Sequence, residues 1–177
     1  MKNLLLMLML TTPFYTIASQ HSVNHNQKNI ETIVIVRHAE KPSAGLGQLT
    51  CRGLNRSLAL PSFFIKHYPK PNFIFAPNPA VKAYEMHGDK RFYNYVRPLA
   101  TIEPTAIYYG LPVNTEIGYN QPRLLVNNLL RNKYHNSTIY IAWEHREILK
   151  ISDILLKYFN NNQKVPSWPN SDYNTVF

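Results

Sequence analysis

The sequence predicts an α/β domain in which a mainly parallel central sheet is covered by helices on both faces. Three observations carry that expectation. Ile33 to Val36, Phe73 to Ala76 and Thr138 to Trp143 are short, uncharged runs rich in β-branched and aromatic residues, the pattern of strands buried on both faces. Segments of helical length lie between them, and alternating β and α elements build a parallel sheet with crossover helices. Two of the runs also stop in the same way: the first at Arg37-His38 and the third at Glu144-His145.

Taken in order, the first strand is expected over 32–36, followed by a loop in which Pro42, Ser43, Ala44, Gly45 and Gly47 favour turns. Thr50 suits an N-cap, and Leu54, Leu58 and Ala59 have helical spacing, so a helix is expected over 52–67. A second strand over 73–76 runs into Pro77. The segment Ala80 to Val96 reads as one long loop, with Tyr84, Phe92, Tyr93 and Tyr95 set among Lys, Arg and His. Long loops in compact domains usually carry function, so this one is expected to be a substrate-facing lid. A helix over 98–109, a short strand near Val113, a helix over 121–132, a strand over 138–143, a helix over 145–159 and a last strand from Tyr173 complete the expected order.

The strand ends point to a site. In open α/β sheets ligands bind in the crevice beyond the carboxyl ends of the strands, and parallel strands put those ends on one edge. His38 and His145 are therefore expected to converge although far apart in sequence. Arg37, His38 and Lys41 fall within five residues, a donor-rich cationic cluster suited to a phosphate group.

Four motifs in this order resemble those of the histidine phosphatase superfamily, also called phosphoglycerate mutase-like. They are Arg37-His38-Ala39-Glu40-Lys41-Pro42, Leu49-Thr50-x-x-Gly53-x-x-Arg56-Ser57, Arg97-x-x-x-Thr101-x-x-Pro104 and Trp143-Glu144-His145. The family's opening Arg-His-Gly has Ala39 in its third place, as in bacterial exported members of the Arg-His-Ala-Glu-Lys-Pro type. The resemblance implies a three-layer α/β/α sandwich of the phosphoglycerate mutase-like kind. It also implies that His38 is a nucleophile that becomes phosphorylated, that Arg37, Lys41 and Arg97 hold the phosphoryl oxygens, and that His145 is the second imidazole at the phosphoryl group. A neutral imidazole nitrogen is a competent nucleophile near neutral pH and needs no metal. Arg91 competes with Arg97, but the spacing to Thr101 favours Arg97. Arg56, well inside its helix, reads as structural.

The proton donor is less fixed. Cleavage of a phosphate monoester needs a general acid for the leaving oxygen and a base for water. Glu144 is the first choice and Glu116 the second. Strand alternation would turn Glu144 away from His145 unless the strand has already ended.

Composition bounds the rest. Lys2, the apolar stretch Leu4 to Leu10 and the small residues Ala18 and Ser19 read as a signal peptide over 1–19, followed by a polar, disordered lead-in over 20–29 and one domain over 30–177. Export to the periplasm or beyond is therefore expected, without stable membrane insertion after signal cleavage. A single cysteine, Cys51, excludes an intrachain disulfide, and no Arg follows it at the spacing of a Cys-x5-Arg phosphate loop. The seven histidines include no His-x3-His pair on a credible helix, so neither metal nor cofactor is expected. The net charge of +9 favours anionic substrates, and because the basic residues are dispersed nucleic acid is not expected as a partner. The leading reading is an exported phosphatase acting on a phosphorylated small molecule or phosphoprotein. The alternative is a phosphate-binding or interaction module of the same fold without turnover.

Overall fold

The computed structural model describes residues 31–177; the expected signal peptide over 1–19 and lead-in over 20–29 lie outside the described residues. The chain runs β1 (Thr32–Arg37), α1 (Cys51–His67), β2 (Phe73–Phe75), β3 (Lys82–Tyr84), β4 (Phe92–Asn94), α2 (Arg97–Tyr109), β5 (Val113–Asn114), α3 (Pro122–Leu129), a 3-10 turn (Asn132–Tyr134), β6 (Thr138–Trp143) and α4 (His145–Tyr158). The four strands β1-β6-β2-β5 form one sheet in that order, every neighbour parallel.

Side chains alternate across this sheet and bury two cores. Ile35, Phe75, Ile139, Ile141 and Trp143 face α3 and α4, with Leu125, Leu129, Ile148 and Ile151 packed on them. Val34, Val36, Ile74, Tyr140 and Ala142 face α1 and α2, with Phe64, Ile102 and Ala106 opposite. The expected three-layer sandwich with a parallel centre is the observed one. Burial on both faces explains why the strands carry no polar alternation. β6 is the most covered, with all six residues buried.

Thr50 caps α1 as expected, its Oγ1 accepting from the Gly53 amide at 3.0 Å. Three expectations need correction. The helix over 121–132 stops at Leu129, because Tyr134 turns in to pack edge-on against Phe73 (4.7 Å between ring centroids) and against Phe75 (5.5 Å). The burial of that ring outweighs three more residues of exposed helix. The segment over 80–96 is not a plain loop: β3 and β4 form an antiparallel hairpin whose strands are too short to show an alternating pattern in sequence. The last strand is reduced to one antiparallel bridge, Val176 to Val36. There the Asp172 carboxylate accepts from the amides of Asn174 and Thr175 and from the Thr175 hydroxyl, which curls the chain until only its last residues reach the edge of β1.

No helix among the described residues is long and apolar enough to cross a membrane.

Candidate active site

β1 and β6 lie side by side in register, with Arg37 opposite Trp143, and the His38 amide continues the ladder by donating to the Trp143 carbonyl at 3.0 Å. The residues that follow each strand therefore emerge together beyond the carboxyl edge. They open into a cavity of about 570 Å³ lined by Arg37, His38, Lys41, Arg97, Glu144 and His145. All six residues singled out from sequence thus line one cavity. Arg91 and Glu116 are exposed and do not line it. Neither does the exposed Cys51.

His38 is 2 % exposed, and its Nδ1 lies 2.8 Å from the Ala39 carbonyl oxygen. A carbonyl can only accept, so Nδ1 carries the proton and Nε2 keeps its lone pair. Burial, then the charge of Arg97 and of Arg37, lowers the pKa of the imidazole from 6.5 to about 3, against a smaller opposing effect of the Ala39 carbonyl and of Glu144. The ring is therefore neutral around pH 7. Tyr95 meets it edge-on at 6.0 Å.

The turn after His38 is pinned to α2. The Ala39 amide donates to Thr101 Oγ1 at 2.9 Å, and the Thr101 hydroxyl donates to the Arg97 carbonyl at 2.8 Å. One threonine thereby fixes the spacing between the His38 loop and the helix turn that begins with Arg97, the physical content of the Arg-x-x-x-Thr spacing.

Two guanidinium groups flank the imidazole. Arg37, 5 % exposed, donates through NH1 to the carbonyls of Asn170 (2.7 Å) and Asp172 (2.9 Å), and its plane lies 4.0 Å from the Tyr173 ring centre. Arg97, 4 % exposed, donates through NH1 to the Gly45 carbonyl at 3.2 Å and to Glu85, and sits over the Tyr95 ring at 4.7 Å. The Nε–H of each arginine is buried and has no hydrogen-bond partner among the described residues. A buried N–H without an acceptor costs about 1–3 kcal/mol, so these two donors are suited to the oxygens of an anion.

β6 ends at Trp143, which removes the alternation argument against Glu144. Its Oε2 caps α4 by accepting from the amides of Arg146 (2.8 Å) and Glu147 (2.9 Å), and its Oε1 lies 2.7 Å from His145 Nδ1. Burial works to raise the pKa of this carboxyl; the contact and charge of His145, with the Glu147 amide, prevail and hold it below the ordinary range. His145 Nε2 lies 2.7 Å from Asn170 Oδ1.

Arg56 is structural, as read from sequence: it clamps the Glu40 carboxylate through Nε (3.0 Å) and NH2 (2.7 Å) and donates to Asn174 Oδ1. Among the lining residues not foreseen as site residues, Glu85, Tyr95, Asn170 and Tyr173 are the ones that touch the two arginines. Glu85 and Tyr95 come from the hairpin and its exit, Asn170 and Tyr173 from the C-terminal segment. Tyr95 is buried with its hydroxyl unpartnered among the described residues, and burial pushes the phenol well above the ordinary range, so it remains a donor.

No protein-family model and no curated protein matches the chain. Solved structures do. A mycobacterial glucosyl-3-phosphoglycerate phosphatase is 14 % identical, with a TM-score of 0.51 over 72 % of this chain and 80 % of that one. A protein assigned as the phosphohistidine phosphatase SixA of Nakamurella multipartitia is 16 % identical, with a TM-score of 0.49 over 75 % of this chain and 72 % of that one. At such identity the likeness is one of architecture, and the chain has a phosphoglycerate mutase-like α/β fold.

Proposed function

We propose that the chain is a phosphatase that hydrolyses a phosphate monoester through a phosphohistidine on His38. The observation that carries this reading is the neutral, buried His38, with Nδ1 tied to a carbonyl, between two buried arginines whose Nε–H groups lack an acceptor. An imidazole alone fits many roles. Set between two unsatisfied guanidinium donors, it suits attack on a group that brings anionic oxygens with it.

In the first step His38 Nε2 forms a bond to phosphorus while the ester P–O bond breaks, and the leaving oxygen takes a proton. In the second, water forms a P–O bond, the N–P bond breaks, and the water proton is taken up by a base. Arg37 and Arg97 hold the equatorial oxygens in both steps, with Tyr95 as a neutral donor and Lys41 at the rim. Glu144 orients His145 toward the phosphoryl group and caps its helix. Export, directed by residues 1–19, and a phosphorylated small molecule or phosphoprotein as substrate belong to the same proposal.

The test is hydrolysis of an aryl phosphate by the full chain from pH 4 to 8, beside His38→Ala. Turnover that vanishes in the variant supports the reading; equal turnover in both removes it.

A further inference from the structure

Glu85 is a carboxylate that neither β1 nor β6 supplies. It is 3 % exposed, lines the same cavity, and sits at the end of β3 with one oxygen on Arg97 and the other 3.1 Å from Lys41 Nζ. The hairpin that carries it is fastened to the loop after His38. The Asp89 amide donates to the Ala44 carbonyl at 3.3 Å, and the Val96 and Arg97 amides reach the Gly47 carbonyl at 3.2 and 3.0 Å. The fit depends on a missing side chain. A Cβ at Gly45, whose φ is +85°, would lie 2.3 Å from the Glu85 carboxyl carbon.

The site has two carboxylates, and their surroundings separate their roles. Glu144 is turned to its own helix, with Oε2 accepting from the Arg146 and Glu147 amides and Oε1 lying 2.7 Å from His145 Nδ1, so this carboxylate serves α4 and the second histidine. Glu85 has no backbone N–H among its side-chain partners; it holds only to the two cations, Arg97 and Lys41, that a phosphoryl group would also seek.

We propose that Glu85 is the acid–base residue of the reaction, donating the proton to the leaving oxygen and afterwards accepting one from water. This rests on the phosphohistidine reading above. Arg97 NH1 is on Glu85 while its Nε–H is open, so a phosphoryl oxygen on Nε places two anions on one guanidinium. In the free protein, burial works to raise the Glu85 pKa, and Arg97 and Lys41 more than offset it, keeping the carboxylate ionised. The arriving phosphate reverses that balance, since a like charge nearby favours the protonated carboxyl. The proton comes with the substrate. A phosphate monoester has its second pKa at about 6, so a monoanion enters, passes its proton to Glu85 and reacts as the dianion. Glu85 then gives that proton to the departing alkoxide as the N–P bond forms. It takes a proton from the attacking water as the N–P bond breaks and releases it with the product. The cavity that Glu85 lines also carries His87 from the same hairpin, Arg37 and His38 from the end of β1, and the charged residues of the Glu144 to Lys150 stretch.

A general acid matters most when the leaving group is poor. The experiment is a rapid-quench measurement of the first, phenol-releasing step with phenyl phosphate and with p-nitrophenyl phosphate, for wild type, Glu85→Gln and Glu85→Asp. The expected result is a loss on the order of 100-fold for Glu85→Gln with phenyl phosphate, at the lower end of the usual acid–base contribution. With p-nitrophenyl phosphate, whose phenolate leaves unaided, the loss should be only a few-fold. Glu85→Asp, which keeps a carboxyl group, should depend on leaving group much as the wild type does. Displacement of Arg97 slows both esters alike, so an equal loss on both, or no loss on either, overturns the role of Glu85 while leaving the phosphohistidine reading standing. A wild-type protein that releases phenol from neither ester and gains no phosphate on His38 overturns that reading and the inference with it.

Discussion

Lowering the pH from 7 to 5 should cost the wild-type protein about 2 kcal/mol more stability than it costs a His38→Gln variant. In the unfolded chain the His38 imidazole takes a proton near its ordinary 6.5; in the folded protein burial, Arg97 and Arg37 hold it to about 3. The unfolded state therefore binds the extra proton throughout this window, and acid favours unfolding. At about 1.36 kcal/mol for each pH unit below 6.5, the loss at pH 5 is about 2 kcal/mol, and it goes on growing until the pH approaches 3. Glutamine keeps an amide donor that can reach the Ala39 carbonyl and has no group that titrates. Carboxylates elsewhere contribute to both proteins, so the difference between the two isolates this imidazole. Urea unfolding of both proteins at pH 7 and pH 5 measures it. A difference unchanged between the two pH values would mean that His38 is protonated in the folded protein as readily as in the unfolded chain. The account of a neutral nucleophile would then fail.

Three further outcomes follow from the same geometry. Arg97→Ala should lower kcat/KM for an aryl phosphate by a factor on the order of 10²–10³, the scale of losing one preorganised donor to the transition state, and a change under threefold would remove Arg97 from the clamp. Thr101→Val leaves the buried Ala39 amide without its acceptor and should destabilise the fold by about 1–3 kcal/mol in urea unfolding, with kcat falling too because the His38 turn loses its anchor on α2. Gly45→Ala imposes a left-handed backbone angle on alanine and drives its Cβ into Glu85; a loss of about 1–3 kcal/mol in the same assay is expected, and an unchanged midpoint would show that the hairpin yields freely.

How much of this was legible in the sequence follows from where each residue sits. Arg37, His38, Glu144 and His145 could be found because each sits at the end of a strand buried on both faces or within two residues of it, and such strands announce themselves as unbroken apolar runs. Arg97 could be found through its spacing to Thr101, which the hydrogen bond from Ala39 explains. Glu85 could not. It lies in a hairpin of three-residue strands, among exposed Lys, Arg and His, and nothing local distinguishes a carboxylate that is buried against two cations from one in solvent. Asn170 and Tyr173 were equally hidden, because their roles depend on the C-terminal segment returning to the edge of β1, held by the paired hydrogen bonds between Ile35 and Phe177. The same return explains why the expected last strand shrank: Asp172 ties the chain into a turn that delivers two carbonyls to Arg37, and extended pairing is given up for it.

The central claim is covalent, so the most direct test is to find the bond. The full chain is mixed with phenyl phosphate, quenched in alkali within milliseconds, and the site of any added phosphoryl group is mapped by mass spectrometry, beside His38→Ala treated identically. The account predicts one phosphoryl group on His38, stable to alkali, labile to acid and absent from the variant. Phosphate found on another residue, or phenol released by wild type with no phosphoryl protein at any quench time, would contradict it.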